Sequence, residues 1–143
     1  MKKRRAAAGF LQYGIAFVLL STAAAKLLDL KGFARVLETY RVLRPSALLP
    51  AAAAVTAVEL GLGSLLLSGR FLTQAASASA ALHGAYAIWS GAALARGLRL
   101  DNCGCFGAFL ARPLTAGTVA EVLGLAGLSV ALSRLASRQR KAG

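Results

Sequence analysis

The chain has 143 residues, of which 57% are hydrophobic and only 15% charged, yet its formal net charge is +12. A soluble domain usually carries about 25% charged residues, and a nucleic-acid surface would spread its basic residues over a polar face with aromatics between them. Here the lysines and arginines cluster between long apolar runs, so one membrane domain is the expectation and nucleic acid is not an expected partner.

The predicted fold is all-α, an integral membrane four-helix bundle with spans at about 7–28, 48–67, 71–95 and 114–133. Each stretch reaches the ~20 residues that a helix needs to cross ~30 Å of hydrocarbon. The opening "MKKRR" would also suit the n-region of a signal peptide. The apolar run behind it is longer than the ~7 to 15 residues of a usual h-region, which favours a retained helix. Between the first two spans, Leu30, Phe33, Leu37 and Tyr40 recur at three- and four-residue spacing, while Lys31, Arg35, Glu38 and Arg41 point elsewhere. That pattern predicts an amphipathic helix lying on the headgroups, closed by Pro45 and Pro50, which also open the second span. "SGR" at 68–70 is a tight turn.

Orientation follows from the terminal clusters, Lys2 to Arg5 and Arg134, Arg138, Arg140 and Lys141. Four crossings place both on one side, and basic flanks mark that side as the cytoplasm. With Arg70 included, nine of the seventeen basic residues fall inside and eight outside, so the clusters decide the matter. The expected location is a bacterial cytoplasmic membrane, with the loop between the third and fourth spans external.

That loop, "RLDNCGCFG", holds both cysteines of the chain, Cys103 and Cys105. The external face of a bacterial envelope is the oxidising side. Closing a disulfide across two residues needs a tight turn, for which Gly104 can supply a positive φ. A strained bridge is more readily reduced, which suits a bond that is made and broken, and so small a ring removes little unfolded-state entropy. Arg99 and Arg112 flank the pair and Lys26 sits at the same face, so positive charge would favour a thiolate, with Asp101 opposing. The alternative is a static loop bridge. Zinc would need four ligands, and the single histidine, His83, falls near the middle of the third span.

Ionisable groups within a span cost ~2.5 to 3.5 kcal/mol each on insertion scales, so each calls for a partner. Glu121 and Lys26 fall at comparable depth, which predicts a Lys26 to Glu121 pair; unpaired, Lys26 would snorkel and Glu121 stay protonated. Glu59 lies deeper, within reach of His83, Tyr86 or Thr56. A transporter path through Glu59 and His83 is disfavoured by the absence of an inverted repeat.

The stretches "AAAKLLDLKGFARVLETYRVLRP", "AVELGLGSLLLSGR" and "CGCFGAFLARPLTAGTVAEVLGL" resemble the MauE methylamine-utilisation family, related in architecture to DoxX-like membrane proteins, from about Gly9 to Leu132. The resemblance implies a four-helix membrane protein that helps mature a disulfide-rich client, methylamine dehydrogenase in the namesake setting, beside a periplasmic thioredoxin-like partner. It places the thiol pair on Cys103 and Cys105, completes the motif with Phe106 and Gly107, and puts polar points at Lys26, Tyr40 and Glu59. Asn102 separates Asp101 from the first cysteine, a departure from the pattern. Two functions follow: a membrane thiol–disulfide relay, or a non-catalytic assembly factor or anchor with a static bridge. By analogy with other four-helix disulfide enzymes, a relay would pass electrons to a carrier such as quinone. Those enzymes carry a second cysteine pair, which this chain does not have.

Overall fold

In the computed structural model, which describes residues 2–141, the chain forms five helices: α1 (Lys2–Leu28), α2 (Leu30–Thr39), α3 (Pro45–Ser68), α4 (Leu72–Ala95) and α5 (Ala116–Lys141). The side chains of Lys2, Lys3, Arg4 and Lys141, part of the two basic clusters, lie outside the described residues. The spans of α1, α3 and α5 are long and apolar enough to cross a bilayer, with windows at Arg5–Leu28, Pro45–Ser68 and Ala116–Arg140. The fourth long helix, α4, has 24 residues and no charged side chain, but Gln74, Ser77, Ser79, His83 and Ser90 interrupt its apolar run, and it has no window as apolar as those of the other three.

Local chemistry fixes the boundaries. The carboxylate of Asp29 accepts from the backbone N–H of Gly32 at 2.7 Å, so α2 starts on a side-chain cap only one residue after α1 ends. The first residue of α3 is Pro45, where its fixed φ suits a helix and its missing N–H costs nothing. Pro50, expected from sequence to help open this span, instead lies inside α3, still within the opening turns where one lost backbone bond is tolerated. Thr115 and Thr118 cap α5 reciprocally, each hydroxyl accepting from the other's backbone N–H at 3.2 and 2.9 Å.

Packing pairs α1 with α3 and α4 with α5, while α1 against α5 and α3 against α4 close the bundle. At the end that carries the chain termini the core is made largely of small and aliphatic residues, Ala8, Ile15, Ala16, Leu19, Leu66, Ala75, Ala76 and Leu132. At the opposite end, α2 lays Phe33, Ala34 and Val36 over Leu48 and Ala52 of α3. Lys31, Arg35 and Glu38 face outward there. A third cluster joins Tyr40 and Ala93 to Cys103 and Leu114 in the loop before α5. Large apolar side chains remain on the outer surface, among them Phe10 at 81% and Ile88 at 74% exposure, and water would penalise such a surface.

Candidate functional site

The α4–α5 loop is tied at both ends before its thiols are positioned. Cys103 N–H donates to the carbonyl of Arg112 at 2.7 Å, and Leu114 N–H donates to Leu100 at 2.9 Å, which closes residues 100–114 into a compact unit. Within it, the Asn102 side chain accepts from the Gly104 N–H at 2.9 Å and donates to the Gly107 carbonyl at 2.9 Å, holding the turn from both sides. Phe106 is half-buried and forms an isolated bridge with Leu110. Gly104 and Gly107 have φ of +80° and +62°. A Cβ at Gly104 would lie 3.2 Å from Val36 Cγ1, and one at Gly107 would lie 3.1 Å from Lys26 Cα, so both glycines let the loop press on α2 and α1.

The two cysteines are free thiols that share a hydrogen bond, with their sulfurs 2.7 Å apart. The two thiols are thus side by side, the arrangement that closing a disulfide requires. Cys103 is buried and Cys105 is half-buried. Hydrogen bonding with the Cys105 side chain, assisted by the Cys105 N–H at 3.4 Å and the charge of Arg112, lowers the pKa of Cys103 to about 6. The pKa of Cys105 rises, because its proton bridges to the Cys103 sulfur and because it is buried. One proton is therefore shared between two sulfurs, and Cys103 is the more acidic of the pair.

Side chains from α1, α3, α4 and the C-terminal end of α2 brace this pair. Lys26 of α1 lies 2.7 Å from both carboxylate oxygens of Glu59 in α3, and the same ammonium donates to the Cys105 carbonyl at 3.0 Å. Tyr86 donates to Glu59 Oε1 at 2.8 Å and Thr22 to Oε2 at 3.3 Å, so the buried ion pair is hydrogen-bonded on both oxygens. The rings of Phe33 and Tyr86 cover the ammonium at 5.2 and 5.9 Å. From the other side, Tyr40 donates to the Cys103 carbonyl at 2.7 Å, and burial raises its pKa to about 12, which keeps the hydroxyl protonated.

The expected Lys26 to Glu121 pair does not form. Lys26 faces α3, the helix α1 packs along, whereas Glu121 is exposed on α5 and receives a two-pronged contact from Arg112 at 2.9 and 3.0 Å. Depth along the bilayer was a poor guide because it carries no information on which faces of two helices meet. His83 also avoids Glu59; its Nδ1 lies 2.8 Å from the Ser79 carbonyl. Arg112 is the one loop residue that contacts Glu121 while also acting on Cys103.

Two participants had no functional signal in the sequence reading. Asn102 reads as a spacer yet organises the turn. Trp89, whose ring lies 5.8 Å from that of Tyr40, sits within an apolar helix and has no motif around it, although a sole tryptophan is itself a signal.

A model of the family of methylamine utilisation protein MauE matches residues 4–134. No curated protein and no solved structure matches the chain. The match covers α2, α3, α4, the loop that holds the thiols and most of α1 and α5, and the chain belongs to the MauE family.

Proposed function

We propose that this membrane protein exchanges disulfides with a thioredoxin-like envelope protein through Cys103 and Cys105, and so serves the maturation of a disulfide-containing periplasmic or extracellular client. The observation that carries the reading is the paired, braced thiols: two sulfurs 2.7 Å apart on a loop fixed by an ion pair from two other helices.

The same geometry orders the chemistry. With the bridge closed, an incoming thiolate would attack the more accessible sulfur, Cys105, and expel Cys103, whose low pKa makes it the better leaving group. The mixed disulfide then sits on Cys105, and Cys103 resolves it. The Cys103→Ser variant should trap the partner, with the adduct on Cys105 identified by mass spectrometry, and Cys105→Ser should trap far less. Normal client maturation by the double serine variant at unchanged protein level would eliminate the relay and leave the anchor with a static bridge.

In this reading α4 is the fourth crossing. Its 24 residues contain no charge, its polar Ser79, His83 and Ser90 turn inward, and Ile88 faces out. Arg5, Arg70, Arg134, Arg138 and Arg140 then share one end of the bundle, which favours the cytoplasm there and an external thiol loop, with α2 at the external headgroups. The membrane is the bacterial cytoplasmic one.

A further inference from the structure

Both cysteines line a half-open cavity of about 390 Å³ between α2, α3, α4 and the thiol loop, with Lys26 of α1 and Val122 of α5 also in its wall. That size lies in the range of small-molecule sites, ~300 to 1,000 Å³. Its wall is mainly aliphatic and aromatic, with Leu43, Val55 and Leu82 opposite the rings of Phe33, Tyr40 and Trp89. Such a lining suits an apolar, planar ligand that lies against aromatic rings.

We propose that the cavity binds the head group of a membrane quinone, which takes two electrons from the Cys103–Cys105 dithiol. The inference rests on the exchange reading above and adds to it the oxidant and the direction of electron flow. Each turn of exchange that oxidises a partner dithiol leaves Cys103 and Cys105 reduced, and the chain has no further cysteine to accept their electrons. An acceptor that reaches an apolar cavity among membrane helices must be lipid-soluble, and one that reoxidises a dithiol in a single step must carry two electrons. Quinones meet both demands. The Cys103 thiolate and the Cys105 thiol join in an S–S bond; the two electrons pass to the quinone, the Cys105 proton and one from water form its two O–H bonds, and quinol leaves.

Trp89 is the only tryptophan of the chain, so its fluorescence reports occupancy directly. The full chain, reduced and held anaerobically in phosphatidylcholine nanodiscs, is titrated with a short-chain ubiquinone analogue while free thiols and quinol are measured. Saturable quenching with loss of both thiols and stoichiometric quinol formation is the expected result. Val55→Phe, which fills the cavity, should weaken quenching about tenfold. The double Cys103→Ser/Cys105→Ser variant should quench but form no quinol, which keeps the test decisive if the phenylalanine variant fails to fold. Absence of saturable quenching overturns the inference, as does quenching without thiol loss. Equal quenching by a brominated acyl chain that quinone cannot displace would identify the cavity as a lipid site and overturn it too. If a partner is trapped on Cys105 while the quinone assay fails, only this inference falls; quinone oxidation of the dithiol with no trapped partner removes the exchange reading instead.

Discussion

Lys26 donates to the main-chain carbonyl of Cys105 at 3.0 Å while both oxygens of Glu59 hold the same ammonium at 2.7 Å. The thiol loop is thereby fastened to α1 and α3 through one buried charge, and removing its counter-ion has a predictable cost. Glu59→Gln leaves the ammonium uncompensated and should destabilise the protein by about 3 to 5 kcal/mol. The double Lys26→Met/Glu59→Met variant should recover most of that loss, since no unpaired charge remains. Denaturant unfolding in detergent measures both. A Glu59→Gln variant as stable as the parent would show that the pair does not hold the loop.

The two loop glycines predict unequal effects. Alanine at either position is strained by positive φ, at about 1 to 2 kcal/mol. At Gly104 the new methyl meets side-chain atoms of Val36 and Phe33, which can shift, whereas at Gly107 it meets the backbone of Lys26, which cannot. Gly107→Ala should therefore be the more damaging for stability and should also loosen Lys26. Gly104→Ala should fold and slow disulfide closure. Comparison of unfolding midpoints and of closure rates for the two variants checks this order.

Sequence reasoning reached the long helices because apolar runs of about twenty residues stand out by length, and it singled out the two cysteines, which the fold sets side by side, because they cluster in one short loop. It missed the pairing of Lys26. Glu59 and Glu121 both lie on spans, and the choice between them depends on α1 packing along α3, which is tertiary information. The role of Tyr40 was half legible: its spacing with Phe33 marked an inward face, but the hydroxyl's acceptor lies 63 residues away in the loop. Trp89 was silent for the same reason, because a wall is made by residues from several elements and no one stretch records it.

Tyr40→Phe isolates one brace. It keeps the ring against Trp89 but removes the donor to the buried Cys103 carbonyl. Leaving such an acceptor unpaired costs about 1 to 3 kcal/mol. The expected outcome is a matching loss of stability together with faster alkylation of Cys103, as the loop that carries it loosens. Unchanged alkylation would place the control of Cys103 access elsewhere.

The proton shared by the thiols predicts a distinctive pH dependence. Cys103 has its pKa lowered to about 6, against ~8.5 for a free thiol. Its alkylation rate in the reduced chain should climb between pH ~5 and ~7 and then level off, where an ordinary cysteine would still be gaining thiolate. Arg112→Gln removes a positive charge that favours the thiolate, so its midpoint should move upward. Stability of the reduced form should follow the same groups. The Cys103 contribution is fully present above ~8.5 and lost as pH falls through about 6. Cys105, with its raised pKa, has the opposite sign and disfavours the folded dithiol once pH exceeds ~8.5. The reduced chain should accordingly be most stable near pH ~8.5, and the oxidised chain, which has neither titration, should lack that maximum. A disulfide form with the same pH profile would show that groups other than the two thiols set it.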